Sequence, residues 1–429
     1  MNKILLFMMV SAGAGLSSQA WAEIRSVWTL AASIEQAMKV APELQAATAE
    51  IDKQQGRLEQ AGAWPNPSLS VQVDDKLGIE DASGGYDFTQ FSISQPLPIN
   101  RLQHQRKQAE AELGSVAAQR RDQQLLLEYK VARRFHAVQF AAGKLELAKK
   151  RLQQAAAYQN GGGKRKASDP LVRYLTPLEN MRLDIVLQAA KQIMEVAEGE
   201  YNEAMASLQA LLAIPAETEP QLTDLSTVPT PAELAQLETA LKNHPALEAD
   251  QHMLLSTEAS VAVAEARRFD DPVLTVFSEK DFLANRRQNS NGFMLSVSLP
   301  LWNQGTGSVR AARAAVQQSR SELALKQREL RTNLHKTYLH LGHLIGQAQH
   351  YRTRLLEPAQ QVFKLTRKGF EAGELNILTL IDANNTYFDA QERYFELLHE
   401  GWLELAEVRR SAGISLLTSN SAINSNEVY

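Results

Sequence analysis

The sequence predicts a mainly helical protein built as two similar halves, each a β-hairpin followed by a long helical hairpin. Three observations carry this reading. The chain repeats itself about 205 residues apart: NPSLSV at 66–71 returns as DPVLTV at 271–276, and SISQPL at 92–97 returns as SVSLPL at 296–301. Pro42-Glu43-Leu44 likewise returns as Pro245-Ala246-Leu247. A long stretch with apolar residues every seven positions follows each echo. Aromatics are only 7% of the chain, while Ala, Leu, Gln, Glu, Lys and Arg abound, which is the usage of long helices. A duplicated unit of this size is a half-structure that needs its twin, or several twins, to complete it.

Composition narrows the function. The 429 residues carry a net charge of −4, so no polyanion partner and no nucleic acid is implied. There are no cysteines, which excludes disulfides and thiolate metal sites. Residues 1–22 read as a signal peptide: Lys3 at the start, an apolar core from Ile4 to Leu16, and the small-x-small site Ala20-Trp21-Ala22. Cleavage is expected between Ala22 and Glu23. No later segment has the ~18 consecutive apolar residues of a spanning helix. An exported chain of this kind can span a membrane only with strands closed into a barrel.

Residues 29–63 read as two helices parted near Pro42, and the prolines of Trp64-Pro65-Asn66-Pro67 stop the second. Leu69, Val71 and Val73 then alternate with polar residues, a period-2 strand. After the polar loop 77–85, Phe88, Phe91, Ile93 and Leu97 mark a second strand, so strands occupy 67–98. Residues 101–214 are helical and turn back at 161–170, where Asp169 is a good N-cap and Pro170 a good first residue. Val131, Val138, Leu145 and Leu152 keep heptad spacing, as do Ala141, Ala148 and Ala155. The first repeat is therefore 23–214, and the proline-rich 215–229 is a linker.

The second repeat, 230–413, opens on Thr230-Pro231-Ala232-Glu233, which has the form of a capping box. Helices are expected over 230–268, strands over 272–300 and helices over 305–411. Leu334, Leu341, Ala348, Leu355 and Val362 continue the heptad stripe. Pro177 and Pro358 are expected to bend their helices. Residues 414–429 are Ser/Asn-rich and read as a disordered tail. Four strands per chain close no barrel, since even small membrane barrels use about eight. They make either a small soluble sheet or one pooled from several chains.

The phrases Trp64-Pro-Asn-Pro-Ser-Leu, Ser94-Gln-Pro-Leu, Ser298-Leu-Pro-Leu-Trp-Asn-Gln-Gly and Gly373-Glu-Leu-Asn-Ile-Leu-Thr-Leu-Ile-Asp-Ala resemble the outer-membrane efflux (TolC-like) family. The likeness covers essentially all of the mature chain. The phrases around Asn66-Pro67 and Leu299–Gly305 are most similar to its heavy-metal RND branch (cobalt–zinc–cadmium or copper–silver). The resemblance implies a homotrimer in the outer membrane of a Gram-negative bacterium. Each chain would give four strands to a twelve-stranded barrel, continuous with a helical periplasmic tunnel. It implies a passive exit duct for heavy-metal cations, with a periplasmic adaptor, an inner-membrane RND pump and outer-membrane lipids as partners.

In the resemblance the turns at 161–169 and 371–379 form the inner tip. An acidic gate position falls on Asp382. Its companion falls on Thr379, a departure that Glu371 or Glu374 beside Gly373 would have to offset. Three Asp382 copies around an axis would repel one another and attract cations; the alternative is an ordinary first-turn acid. Arg367 is a candidate partner for such acids, or a solvated surface charge. Gly163, Lys164, Arg165 and Asp169 are candidate adaptor contacts, or a generic turn. His340 and His343 share a helical face near His335 and His350, with no acid beside them in sequence, so no metal site is assigned. No HExxH, GxSxG or P-loop is present, so neither enzyme nor cofactor is expected. Other readings are a duct for drugs or type I secretion, or a soluble periplasmic coiled-coil adaptor.

Overall fold

The computed structural model describes residues 27–74, 88–99, 101–159, 176–216, 221–283, 286–372 and 374–418. In the first half, α1 (Leu30–Val40) is capped by the Thr29 hydroxyl, which accepts from the Ala32 N–H at 3.2 Å. Ala41 is extended because the following proline bars the α region, and Pro42 starts α2 (Pro42–Ala61). Strands β2 (Ser68–Asp74) and β3 (Phe88–Pro96) follow. Then comes α3 (Arg101–Gln159), 59 unbroken residues or about 90 Å at ~1.5 Å each. The return helix is α4 (Pro177–Leu212).

Pro177 does not bend that helix. It is the first helical residue, where its missing N–H costs nothing. Thr176 and Glu179 form the capping box there: the Glu179 N–H donates to Thr176 Oγ1 at 3.3 Å, and the Thr176 N–H donates to the Glu179 carboxylate at 2.7 Å.

The second half carries α5 (Leu234–Leu241), α6 (Pro245–Ala266), β5 (Val273–Leu283), β6 (Arg286–Ser296), α7 (Thr306–Tyr351), α8 (Glu357–Glu371) and α9 (Ile377–Ser411). The Thr230–Glu233 capping box does not form. The helix starts at Leu234, with Glu233 at the N-cap and no side-chain cap bond. Val228, Ala232 and Leu234 pack against the buried cluster of Leu237, Leu241, Leu334, Leu341 and Val408, which holds this stretch extended.

The linker is held in place over its described residues 221–229. Its β4 (Gln221–Leu222) pairs in parallel with β1 (Val27–Trp28). Gln139 Nε2 donates to the Thr223 carbonyl at 2.6 Å, and Trp402 Nε1 donates to the Ser226 carbonyl at 2.9 Å. The tail expectation needs a correction over 414–418. Ser415 Oγ and the Leu416 N–H donate to the buried Glu128 carboxylate at 2.8 and 2.6 Å. A buried carboxylate needs donors, and this segment supplies them. Residues 419–429 lie outside the described residues.

A π-helical turn, Arg352–Leu356, separates α7 from α8. It breaks the expected stripe in an informative way. Leu334, Leu341 and Ala348 are buried, but Leu355 and Val362 are 53% and 54% exposed. The buried face resumes one residue later, at the half-buried Leu356 and Phe370 and at Phe363, which is only 5% exposed. A π turn adds one residue to the helix, so the phase moves by one. Pro358 supplies the cause: it has no N–H for the carbonyl four residues back, at Arg354.

The two hairpins join in one antiparallel sheet of order β2-β3-β5-β6 through the β3–β5 pair. Below it, α3 packs against α2, α4, α6 and α9. The largest buried cluster lies at the waist, with Ile34, Val131, Phe135, Val138, Leu208 and Leu212.

Candidate functional site: a two-faced sheet and a helical tip

Residues paired across antiparallel strands share a face. Reading the register across the sheet gives two unlike surfaces. One face holds the rows Gln95–Leu274–Leu295, Leu69–Ile93–Val276–Phe293 and Val71–Phe91–Ser278–Asn291. Leu69, Val71, Phe91, Ile93, Val276, Phe293 and Leu295 are all exposed there. On β5 and β6 the face turns polar at Ser278 and Asn291, while on β2 and β3 it stays apolar to Val71 and Phe91, one row short of Val73–Thr89–Lys280–Asn289.

The opposite face holds Ser68–Ser94–Thr275–Met294, Ser70–Ser92–Phe277–Gly292 and Gln72–Gln90–Glu279–Ser290. The hydroxyls of Ser94 and Thr275 lie 2.8 Å apart, and Ser290 donates to Glu279 at 2.6 Å. Phe277 would be expected on the apolar band by its type, but the pleat puts it on this polar face. Its ring lies against Gly292, where a Cβ would meet Phe277 Cζ at 2.6 Å. The aromatic covers a backbone that the glycine leaves bare.

At 11 residues each, β5 and β6 are about 36 Å long and cross roughly 25 Å when tilted near 45°. Among the described residues the outer edges of β2 and β6 have no partner strand. Long unpaired edges on a sheet with an apolar face are a template for another chain.

At the other end, α8 and α9 meet in a tight turn. The N–H groups of Glu374 and Leu375 both donate to the Gly369 carbonyl, at 2.8 and 3.2 Å. Leu375 sits on Gly369 so closely that a Cβ there would meet its Cδ1 at 2.8 Å. Asn376 caps α9, accepting from the Thr379 N–H at 2.9 Å and the Thr379 hydroxyl at 3.0 Å. Thr379 is thus tied to its own cap. Asp382 is exposed one turn on, and its carbonyl accepts from Thr386 Oγ1 at 2.9 Å. Arg367 pairs within its own helix, at 3.6 Å from Glu371.

Beneath this turn Leu183, Phe363, Ile377 and Leu380 form a small core with Tyr158 and Tyr387. Burial pushes the Tyr158 phenol up to about 12. Gly373, Gly163, Lys164, Arg165 and Asp169 lie outside the described residues, as do Ala22 and Glu23.

Two cations fasten α3 to its neighbours. Lys144 reaches Glu200 of α4 at 2.7 Å and Glu392 of α9 at 3.5 Å. Arg151 reaches Asp389 at 3.3 Å and Asn385 at 2.8 Å. The histidines of α7 do have acids beside them, brought by tertiary packing rather than by sequence. His335 lies 2.7 Å from Glu238, and His340 lies 3.4 Å from Glu404. Among the described residues no cluster of three or more His, Cys, Asp or Glu side chains has metal-site geometry.

Comparison with known proteins gives a consistent picture. The family model described as outer membrane efflux protein matches residues 33–165 and 236–413. The cobalt-zinc-cadmium resistance protein CzcC of Cupriavidus metallidurans is 27% identical over 380 residues, covering 86% of each chain. The solved structure of CusC superposes with a TM-score of 0.70 at 17% identity, covering 90% of this chain and 92% of CusC. VceC of Vibrio cholerae gives 0.68 at 15% identity, covering 90% and 96%. Open-state MtrE of Neisseria gonorrhoeae gives 0.69 at 14% identity, covering 90% and 89%.

Proposed function

This chain belongs to the outer membrane efflux protein family, and from that membership we propose that three copies form the passive exit duct of an RND-type efflux system. The family consists of channels rather than enzymes. The observation that carries the proposal is the sheet: one face has the apolar row Leu69–Ile93–Val276–Phe293 running across all four strands, the other carries mostly hydroxyls and amides, and among the described residues both edges are open. Lipid solvates only the first face, and only closure with other copies satisfies the edges. Three chains of four strands would make a twelve-stranded barrel, comfortably above the smallest membrane barrels at about eight.

On this reading α3, α4 and α7 to α9 form the periplasmic tunnel. Its tip is the α8–α9 turn together with the turn carrying Gly163, Lys164, Arg165 and Asp169. A periplasmic adaptor would dock at that tip beneath an inner-membrane RND pump, which supplies the energy. Asp382 is the proposed acidic gate position. Glu371 pairs with Arg367 at 3.6 Å, so Glu374 is the acid proposed to offset Thr379. Heavy-metal cations are the proposed cargo, supported by the 27% identity to a cobalt-zinc-cadmium resistance protein over most of both chains.

Membrane fractionation tests the duct. The protein should sediment with the outer membrane, need detergent for release and run as a trimer by light scattering. Recovery in the soluble periplasm would overturn the duct in favour of a soluble scaffold. Growth of a deletion strain on zinc, cobalt, cadmium, copper and silver tests the cargo. Unchanged tolerance to all five would remove the metal assignment and leave the duct standing.

A further inference from the structure

Each of the four junctions between the four-stranded sheet and the long helices carries an exposed large apolar side chain. Trp64 precedes β2, Ile99 follows β3, Phe269 precedes β5, and Leu299, Leu301 and Trp302 follow β6. They form a collar at the helical end of the sheet, next to the row that contains Leu295. Trp302 is 93% exposed, the largest value among them.

Beside the junction after β6 lies a cavity of about 620 Å³ between the end of α6 and the start of α7. Leu299, Leu301 and Trp302 make its apolar wall, and Arg267, Arg268 and Asp270 its charged wall. Arg268 is held in place: its Nε donates to the Gln304 carbonyl at 2.9 Å. Gly305, at φ +66, lets the loop close over it, and a Cβ there would meet Arg268 Cγ at 3.1 Å. Among the described residues the terminal nitrogens of Arg268 have no hydrogen-bond partner. Among the described residues none of these three charges makes an ion pair.

Two guanidiniums, one carboxylate and an indole beside an apolar wall describe a zwitterionic ligand with a greasy tail. Guanidiniums take a phosphate through charge-assisted hydrogen bonds. A carboxylate takes a primary ammonium the same way, and an indole face attracts it further. A purely anionic headgroup would leave Asp270 repelled. A quaternary ammonium has no N–H to give it.

We propose that this cavity binds the phosphoethanolamine headgroup of a glycerophospholipid, with the acyl chains running along Leu299 and Leu295 onto the apolar face of the sheet. The site rests on the reading of that face as membrane-spanning. Its place after the edge strand β6 puts the headgroup near the seam where the next copy would join.

Native mass spectrometry of the detergent-purified protein, titrated separately with phosphatidylethanolamine, phosphatidylglycerol and phosphatidylcholine, tests it. Phosphatidylethanolamine should be retained at up to one per chain, about tenfold more tightly than the other two. Arg267→Ala with Arg268→Ala should lose that retention. Asp270→Asn should keep phospholipid binding but lose the preference over phosphatidylcholine. Millimolar inorganic phosphate should not displace the lipid.

Equal retention of all three lipids, or wild-type retention by the double variant, would overturn the site. So would failure of bromine-labelled phosphatidylethanolamine to quench Trp302 in a variant whose other tryptophans are phenylalanine, because a second copy would then cover the cavity. Outer-membrane fractionation of the same variants keeps the questions apart. A membrane-bound protein without lipid preference sinks only the site, whereas a soluble protein sinks the duct.

Discussion

The two helical hairpins descend from one repeat but keep their register differently. In the first half α3 runs 59 residues without a break, and its buried stripe stays in phase from Val131 through Val138 and from Ala141 through Ala148 to Ala155. In the second half the corresponding descent is split into α7, a π turn and α8, and its stripe slips by one residue between Ala348 and Phe363. A π turn stores one extra residue in a helix that can otherwise continue. The unbroken hairpin therefore has a single register. The broken one has a local reserve of length above the tip that carries Asp382. Any departure from sixfold likeness in a trimer should start at that reserve.

Single-residue deletions break this comparison most directly. Removing Leu145 from α3 should rotate Leu147, Ala148 and Ala155 off the buried face and cost more than about 5 kcal/mol, because several core side chains are lost together. Removing Thr353 with Pro358→Ala should let α7 and α8 merge into one α-helix with Phe363 still buried, at a cost within about 1–2 kcal/mol. Thermal melts followed by helical circular dichroism compare the two. Equal damage from both deletions would mean the π turn is not a spare residue.

The waist, where both hairpins meet the linker, should respond to acid. His136 is buried, stacks on Trp402 at 4.9 Å, and has its pKa lowered by burial to about 4. Its hydrogen bond to Gln139 opposes that shift. Burial also lowers the His399 pKa. A neutral imidazole in the fold that charges near 6.5 once unfolded means stability is full above pH 6.5 and declines as pH falls toward 4. The span amounts to about 3 kcal/mol for His136. A His136→Asn variant should lose most of that slope in denaturant titrations between pH 7 and 4.5. An unchanged slope would place the sensitivity elsewhere.

The caps of the two returning helices give the smallest contrast. Thr176→Ala removes the acceptor of a single backbone N–H and should cost about 1 kcal/mol. Asn376→Ala removes the acceptor of both the Thr379 N–H and its hydroxyl, so its effect should be equal or somewhat larger. It should also loosen the turn next to Asp382. Amide hydrogen exchange over 374–382 separates the two variants: faster exchange is expected only for Asn376→Ala.

Much of this was legible in the sequence, and the misses have physical causes. Alternation groups Leu69 with Val71 and Phe91 with Ile93 within their strands, and the register then joins them to Val276 and Leu295 on one face. Phe277 misleads because side-chain type pointed one way and the pleat another, with Gly292 making the room. Pro358 announced a disturbance but not its sign, since proline alone does not say whether a helix bends or gains a residue. Thr230-x-x-Glu233 had the right letters for a cap, yet packing of Val228 and Ala232 on the Leu237 cluster won. Glu238 and Glu404 beside the α7 histidines come from other helices, and no local pattern reports them. At the tip, the cap role of Thr379 rests on Asn376 and was readable only once α9 had a start.

The central claim is that one face of the sheet meets lipid and the other meets water, and the absence of native cysteines makes it directly measurable. Single cysteines at Gln90, Phe91, Ser92, Ile93 and Ser94 in the membrane-embedded protein can carry a spin label, with collision rates read against oxygen and against a water-soluble nickel complex. Phe91 and Ile93 should favour oxygen, while Gln90, Ser92 and Ser94 should favour nickel, giving a two-residue period. Uniform access of nickel to all five positions would contradict a barrel wall and leave only a soluble sheet.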